Sequence, residues 1–345
     1  MSDARRCVRV AVIGLGDRGC TALRLLLPVE GAEVTVLCDV VDDNVRRARM
    51  LMAPEADVQC ISGEDGYREV CASERVDLVY VCSDWDSHVP IAVEAMTRGK
   101  DVAVEVPAAT TMEGIHALVS TAERTGRRCM MLENCCFDPQ VSEAIAAIRR
   151  GDIGEVVHAE GSYYHCLDER WNGWRLEMNR QRRGDLYPTH ELGPICQALD
   201  IGRTDRLMTL VSMDTDAFSG PQVYYERTGR QADDFCNGDH TTTLIRTARG
   251  RTIVLKHDVM TVQPYGRQLT FIGTQGRIDI RDTGRPSHDE MTLAMNRCLI
   301  SALLEGRPWD ISVQEMAVWC SVIPMTEESI ANNKVVAWTD KGIDE

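Results

Sequence analysis

The stretch VRVAVIGLGDRG, residues 8–19, decides the fold of the first part of this chain. Its first six residues are mostly β-branched and predict a buried strand, and Gly14, Gly16 and Gly19 follow at the spacing G-x-G-x-x-G. A helical pattern begins within the turn, and Asp39 ends the next predicted strand, 20 residues after Gly19. This combination of strand, glycine turn, helix and carboxylate indicates a dinucleotide-binding unit.

Each part of the motif has a physical role beside a phosphate group. Glycines allow the backbone to approach a pyrophosphate at the helix N-terminus, where free amide groups favour an anion. Asp39 can accept a hydrogen bond from a ribose 2′-hydroxyl, and its charge would repel the 2′-phosphate of NADP. We therefore predict NAD as the cofactor. The alternative is a glycine-rich turn that binds no ligand.

Strand and helix patterns alternate from this motif onward. The apolar runs AEVTVLCD, VDLVYVCS, DVAVEV and RCMML alternate with helical patterns such as DDNVRRARML and GIHALVSTAERTG. This alternation predicts a parallel, doubly wound α/β sheet. We assign residues 1–137 to an NAD-binding Rossmann domain.

The pattern changes after about residue 152. TTTLIRTARGRTIVLKHDV (241–259) predicts an antiparallel hairpin that turns at Arg249 and Gly250, and helical patterns cover 288–305 and 312–332. We assign residues 138–345 to an α+β substrate-binding domain with a mostly antiparallel sheet and C-terminal helices. This sheet is where we expect copies of the chain to associate into a homo-oligomer.

Composition limits the classes of function. The 345 residues carry a formal net charge of −15, which argues against nucleic acid and anionic membranes as partners. No apolar run approaches the ~20 residues of a membrane span, and the first residues lack a signal-peptide pattern, so we expect a cytoplasmic protein. The 14 cysteines include no C-x-x-C pair and are interpreted as reduced core residues. Histidine and acidic residues lack the spacing of a ligand set, so we predict no metal.

The segment SDWDSH, residues 83–88, follows another predicted strand. Ligands of open α/β sheets bind at the carboxyl ends of strands, so Trp85 or His88 could line the nicotinamide side of NAD. Asp86 or Ser87 could equally cap the helix that follows. Both interpretations stay open.

Four further motifs resemble glycoside hydrolase family 109. They are EVPAA (105–109), MMLENCC (130–136), YPTH followed by LGP (187–194) and KHDV (256–259), and the resemblance extends from residue 8 to about 332. Enzymes of that family share the Gfo/Idh/MocA oxidoreductase fold. Sugar dehydrogenases of this fold usually carry a lysine inside Glu-x-Pro. This chain has Val106 there, which is the residue that family 109 shows.

The resemblance implies an N-acetylhexosaminidase, typically for α-linked N-acetylgalactosamine, that uses NAD without consuming it. The partner would be a glycan or small glycoside with a terminal N-acetylhexosamine. Carried over by position, the resemblance puts NAD contacts at Asp17, Arg18, Asp39, Trp85, Asp86, Ser87, His88, Glu105, Val106, Asn134 and Tyr187. It puts substrate contacts at Tyr163, Arg175, Tyr187, Pro188, Thr189, His190 and Tyr265.

The chain departs from the family around the expected sugar site. Ser87 stands where the family usually has an aromatic residue, and Glu191 where it has glycine. The segment 163–187 is several residues shorter, and the family's tail is reduced to AWTDKG (337–342).

The chemistry implied by the resemblance does not need the paired carboxylates of a conventional glycosidase, and no motif places such a pair. Oxidation at C3 of the sugar acidifies the proton at C2. A base removes that proton, the leaving group departs from C1, water adds, and the hydride returns to C3.

Two residues are the candidate catalytic groups. His190, with an ordinary pKa of about 6.5, suits proton transfer at the C3 hydroxyl. Tyr163, ordinarily at about 10, could exchange the C2 proton if a cation such as Arg175 lowers its pKa. Strand alternation puts His165 on the face of Tyr163 as an alternative base, and Tyr164 on the opposite face. An ordinary sugar dehydrogenase and a catalytically silent NAD- and sugar-binding homologue remain the competing functions.

Overall fold

The computed structural model describes residues 7–165, 173–262, 264–281 and 284–338. The chain divides into two compact units. The first comprises residues 1–109, 113–137 and 286–317, and the second comprises residues 110–112, 138–285 and 318–345.

The first unit is built on a six-stranded parallel sheet. Its strands are β1 (Val8–Ile13), β2 (Ala32–Asp39), β3 (Gln59–Ser62), β4 (Leu78–Val81), β5 (Asp101–Val104) and β6 (Cys129–Met131). They are hydrogen-bonded in the order β3-β2-β1-β4-β5-β6, so the direction of winding reverses between β1 and β4. Ligands of doubly wound sheets bind beside the carboxyl ends of strands at such a reversal. The predicted Rossmann sheet is confirmed.

Helices connect these strands as the sequence predicted. They are α1 (Asp17–Leu26), α2 (Asp42–Arg49), α3 (Gly66–Ala72), α4 (Trp85–Thr97) and α5 (Met112–Thr125). Every residue of β4, β5 and β6 is buried, which explains why these strands are continuous apolar runs without alternation. A 3-10 segment, Asn134–Phe137, follows β6.

The second unit contains a seven-stranded mixed sheet. Its strands are β7 (Val156–Tyr164), β8 (Leu207–Asp214), β9 (His240–Thr247), β10 (Thr252–Asp258), β11 (Gly266–Gly273), β12 (Arg277–Ile280) and β13 (Val336–Ala337). The order is β12-β11-β7-β10-β9-β8-β13, and β7 with β10 is the one parallel pair among these strands. The prediction of a mostly antiparallel sheet is confirmed, as is the hairpin, because Gly250 turns the chain at a φ of +82° between β9 and β10.

The remaining helices are α6 (Pro139–Arg150), α7 (Trp174–Gln181), α8 (Thr189–Ala198), α9 (Gly220–Thr228), α10 (His288–Glu305) and α11 (Val313–Asn332). Helix α10 spans the predicted residues 288–305 and is fixed by a capping box between Ser287 and Glu290. None of the helices in the described ranges is long and apolar enough to cross a membrane.

The structure differs from the predicted domain division in its C-terminal part. The second unit takes up the chain after residue 137, and residues 286–317, which the prediction placed in 138–345, group with the first unit. The Tyr80 hydroxyl of β4 donates to Asn296 Oδ1 of α10 at 3.1 Å, and Leu304 of α10 packs against Gly31. Helix α10 therefore covers the first sheet, although it follows the second sheet in sequence.

Candidate functional site

The glycine turn after β1 combines close packing with an open position. A Cβ atom at Gly14 would collide with the backbone of Ser83, and one at Gly19 would collide with the carbonyl oxygen of Gly14. At Gly16, a Cβ atom would meet nothing within 4 Å. Two glycines are thus required by the fold, whereas Gly16 leaves space directly before the N-terminus of α1. A pyrophosphate group fits such a space.

Asp39 is buried at the carboxyl end of β2. Its Oδ2 accepts a hydrogen bond from Leu15 N at 2.5 Å, and its Oδ1 accepts from Val41 N at 2.8 Å and Asn44 Nδ2 at 3.1 Å. A carboxylate has about four acceptor positions, so one remains for a ribose hydroxyl. The placement of Asp39 fits the predicted role.

Arg18 and Glu105, both predicted NAD contacts, form a largely buried ion pair. Arg18 Nη2 lies 2.6 Å from Glu105 Oε1, and Nε donates to the same oxygen at 2.9 Å. Burial lowers the pKa of Arg18, but the charge of Glu105, the hydrogen bond to it and the neighbouring Tyr80 together outweigh burial and raise the pKa. The pair joins α1 to the end of β5. The neighbouring Asp17 side chain is exposed.

The segment 83–88 forms the start of α4, and its N-cap is Asp84. Asp84 Oδ1 accepts a hydrogen bond from Ser87 N at 3.0 Å, so the interpretation that Asp86 or Ser87 caps this helix is wrong. Four of the five residues 83–87 are polar, and the sequence does not show which of them has the extended backbone of an N-cap. Asp86 is exposed, and Ser87 Oγ donates to Ser83 Oγ at 2.7 Å.

Trp85 and His88 are buried and contact backbone carbonyl groups. Trp85 Nε1 donates to the Val106 carbonyl at 3.3 Å. His88 Nδ1 lies 2.9 Å from the Pro107 carbonyl, and Nε2 lies 3.1 Å from that of Ser83. Burial lowers the pKa of His88, which favours a neutral ring. Both side chains thus hold the loops that follow β4 and β5.

Val106 and Asn134 complete the predicted cofactor contacts of the first unit. Val106 is buried and offers no amino group where a dehydrogenase would have a lysine. Asn134 Nδ2 donates to the His288 carbonyl at 3.0 Å and to Thr292 Oγ1 at 2.9 Å. Asn134 Oδ1 is buried without a hydrogen-bond partner among the described residues. Such an acceptor fits a ligand that donates a hydrogen bond, as a carboxamide group does.

Four of the predicted substrate residues of the second unit lie together with His165. The ring of Tyr163 is 5.5 Å from that of Tyr187, 5.0 Å from His190 and 6.2 Å from Tyr265, measured between centroids. His165, the alternative base, lies 5.7 Å from Tyr163 and 5.3 Å from Tyr265. We call these five residues the aromatic cluster. The structure brings both candidate catalytic residues into it.

The position of Tyr163 follows from strand alternation. Tyr163 is buried and Tyr164 is half-buried, as expected for neighbours on opposite faces of β7. In the sheet, Tyr163 is paired with His257 of β10 and with Arg267 of β11. Arg267 Cζ lies 5.3 Å from the ring centroid of Tyr265. Neither His257 nor Arg267 was predicted as a site residue, although KHDV, the motif containing His257, was recognised.

The YPTH segment forms the entry to α8. Pro188 is the N-cap, and Thr189 and His190 begin the helix, both of them buried. Glu191 is buried where the family has glycine. A Cβ atom at Gly161 of β7 would lie 2.5 Å from Glu191 Cβ, so the larger residue is accommodated because position 161 has no side chain.

Arg175 lies at the start of α7, with its guanidinium 4.2 Å from the ring centroid of Trp174. The next residue, Leu176, belongs to the same buried apolar group as Tyr163. The predicted shortening of 163–187 falls partly on 166–172, and most of the AWTDKG tail follows residue 338; both lie outside the described residues.

Models of two protein families match this chain. Residues 8–133 match the model of the oxidoreductase family, NAD-binding Rossmann fold, and residues 140–284 match that of the glycosyl hydrolase 109 C-terminal domain. A glycosyl hydrolase family 109 protein of Porphyromonas gingivalis is 36% identical, with 94% of this chain and 82% of the relative aligned. This chain belongs to glycosyl hydrolase family 109. Glycosyl hydrolase family 109 protein 1 of Phocaeicola vulgatus is 37% identical over 96% of this chain and 83% of its own.

Solved structures show that this family 109 protein shares its fold with dehydrogenases. A probable dehydrogenase from Thermotoga maritima matches with a TM-score of 0.78 at 16% identity, over 96% of this chain and 99% of its own. Scyllo-inositol dehydrogenase from Lactobacillus casei, solved with NAD(H) and scyllo-inositol, matches with a TM-score of 0.78 at 13% identity and the same coverage. The family and the fold together identify a glycoside hydrolase built on an oxidoreductase fold, with a nucleotide-binding domain.

Proposed function

We propose that this family 109 protein removes a terminal N-acetylhexosamine from a glycan or small glycoside, with α-linked N-acetylgalactosamine as the expected sugar. The observation that carries the proposal is the aromatic cluster, in which the ring centroids of Tyr163 and His190 lie 5.0 Å apart. Two groups of different acidity are thereby available for two different protons of one sugar. Family membership supports the glycosidase class.

We propose NAD as the cofactor, held by residues of the first unit. The open space at Gly16 fits a pyrophosphate, and the remaining acceptor position of Asp39 fits a ribose hydroxyl. The carboxylate of Asp39 disfavours a 2′-phosphate, which supports NAD over NADP. Asn134 Oδ1 supplies a buried acceptor for a carboxamide. When bound, NAD would supply the hydride acceptor and donor for oxidation and re-reduction at C3 of the sugar.

The chain's own residues would move the protons. His190 takes the proton of the C3 hydroxyl when that carbon is oxidised to a ketone. Tyr163, as phenolate, takes the acidified C2 proton; the electron pair forms a C1–C2 double bond, and the aglycone leaves C1 with its bonding pair. Water adds its hydroxyl group to C1 and gives its other proton to the departed aglycone oxygen, Tyr163 returns a proton to C2, and His190 returns one to the C3 oxygen on reduction. The steps sum to hydrolysis, with both groups regenerated.

The remaining predicted substrate residues would bind and orient the sugar. Tyr187 and Tyr265 offer ring faces and hydroxyl groups beside Tyr163. Thr189 Oγ1 is buried without a hydrogen-bond partner among the described residues, so it fits a sugar hydroxyl. Arg175 fits a polar substituent such as the acetamido carbonyl. Arg267, paired with Tyr163 across β11, is the cation that we expect to favour the phenolate.

The test uses nitrophenyl N-acetylhexosaminides with no added cofactor, followed by catalysis in deuterated water. Sugar release without net NADH, with deuterium at C2 of the product, is the expected result. Hydrolysis with the C2 hydrogen fully retained would contradict the elimination mechanism, because direct displacement at C1 does not touch C2. NADH accumulation without cleavage would instead indicate a sugar dehydrogenase, the alternative that Val106 disfavours.

A further inference from the structure

His257 lies beside Tyr163 and contacts a second buried titratable residue, Asp185, and neither has a part in the proposed reaction. His257 of β10 is paired with Tyr163 in the sheet, and the two rings are parallel within 7° at a centroid distance of 6.1 Å. His257 Nδ1 lies 3.5 Å from Asp185 Oδ1. The side chains are 3% and 1% exposed, respectively, so this contact is shielded from water.

Asp185 is tied to the backbone next to the aromatic cluster. Its Oδ1 accepts a hydrogen bond from Tyr187 N at 3.2 Å, and its own N donates to Thr326 Oγ1 of α11 at 3.1 Å. Asp185 Oδ2 and His257 Nε2 have no hydrogen-bond partner among the described residues. Buried polar atoms left in this condition cost stability, which favours a functional reason for the pair.

Burial sets the charge of the pair. It raises the pKa of Asp185 to about 7 and lowers that of His257 to about 3. Below about pH 7 a carboxylic acid faces a neutral imidazole; above it, a carboxylate can accept from Nδ1–H and the pair carries one negative charge. Among the described residues, the charged and titratable groups around the pair include Tyr163, His165, Tyr187, His190, His240, Asp258 and Arg267.

We propose that Asp185 and His257 are positioning residues that act through Tyr163, by holding a proton beside its phenol and thereby controlling when the phenol ionises. With the proton present, the pair is neutral and the phenolate can form. With the proton lost, a buried negative charge opposes a second negative charge on Tyr163. The inference rests on the proposed role of Tyr163 as the base at C2.

The first test follows His257 itself, in the full chain without substrate. Nitrogen-15 NMR of the imidazole, assigned by the signals lost in His257→Asn, reports the tautomer. We expect a change from Nε2–H to Nδ1–H near pH 7, no imidazolium between pH 5 and 9, and loss of the change in Asp185→Asn. An imidazolium signal in that range, or a tautomer that does not respond to pH, would contradict the proposal that Asp185 and His257 share a proton in this way.

The second test measures exchange of the sugar C2 proton with deuterated water at pH 6 and 8.5. Asp185→Asn should equal the wild type at pH 6 and exceed it about fivefold at pH 8.5, because the opposing charge is absent. The matched control is Asp205→Asn, a buried carboxylate of the same unit that lies 3.5 Å from Arg251 Nη1. It should keep the wild-type ratio of the two rates.

The outcomes separate the inference from the proposed function. If the ratio of the exchange rates at pH 8.5 and pH 6 is the same for Asp185→Asn and the wild type, the pair does not control the ionisation of Tyr163. The proposed mechanism at C2 would be unaffected by that result. No C2 exchange in any sample, with the tautomer change present, would reject the proposed function and the action through Tyr163 together.

Discussion

Replacing Asp185 with asparagine should stabilise this protein as the pH rises, although the substitution removes a group that we place in its function. The Asp185 carboxyl is buried and has a pKa of about 7, against an ordinary value of 3.8. The native state therefore binds a proton that the unfolded chain releases, so stability is lost between pH 3.8 and 7. At 1.36 kcal/mol per pKa unit, the loss reaches about 4 kcal/mol above pH 7. Asparagine fills the same space without that loss.

His257 makes the free energy of unfolding depend on pH in the opposite direction. Its pKa falls from an ordinary 6.5 to about 3, so its contribution is present above pH 6.5 and is lost as the pH falls toward 3. In the wild type the two slopes nearly cancel between pH 3.8 and 6.5. Asp185→Asn removes one of them. The difference in free energy of unfolding between variant and wild type should therefore grow by about 2 kcal/mol from pH 5.5 to pH 8.

The assay is urea unfolding of the full chain at pH 5.5 and pH 8 without nucleotide, since a ligand of the native state would add its own stabilisation. Asp205→Asn is again the control. It removes a carboxylate that accepts from Thr247 Oγ1 at 2.7 Å and lies near Arg251, so it should destabilise the protein at both pH values. If Asp185→Asn destabilises by the same amount at both pH values, the carboxyl group is not held neutral by burial and the reasoning fails.

Three further predictions concern the two candidate sites. Gly16→Ala should leave the melting temperature unchanged, because the new Cβ meets no protein atom within 4 Å, but should weaken NAD binding measured by titration calorimetry; unchanged affinity would contradict the pyrophosphate position. His190→Ala and Tyr163→Phe should each lower kcat by about 100-fold or more with folding retained, and a rate within about threefold of wild type would remove that residue from the mechanism. Gly161→Ala should cost stability by collision with Glu191, and Glu191→Gly should recover part of that loss in a double-mutant cycle of urea unfolding; additive effects would show that the two positions are not in contact.

The sequence predicts most elements of the fold because their signals are local. The strand, glycine turn and helix of residues 8–26 lie within one stretch, and the capped helix at 288–305 repeats its apolar residues at a helical period. The sequence does not show what that helix packs against, because this depends on contacts such as that of Tyr80 with Asn296, which are 216 residues apart. Local pattern does not encode which sheet an amphipathic helix covers.

The candidate site residues also divide into those with a local sequence signal and those that depend on contacts distant in sequence. Alternation along β7 predicts that Tyr163 and His165 share a face, and the structure places both rings in the aromatic cluster. His257 enters beside them through parallel pairing of strands that are 94 residues apart. Asp185 precedes a recognised motif but resembles an ordinary polar loop residue in sequence. Its significance depends on burial, which appears only once Thr326 and Tyr187 are in place around it.

A dehydrogenase and a glycosidase that acts by elimination need different numbers of proton acceptors. Oxidation of a hydroxyl group needs one base, and a lysine in Glu-x-Pro serves dehydrogenases of this fold. Elimination needs a second base at the neighbouring carbon, which must ionise independently of the first. His190 on α8 and Tyr163 on β7 are on separate elements and have different acidities, so they fit the two tasks. A lysine at position 106 would add a third group able to transfer a proton, beside His190 and Tyr163. With Val106 in its place, we expect proton transfer to rest on the second unit, where the charge of Asp185 and His257 determines when Tyr163 can act.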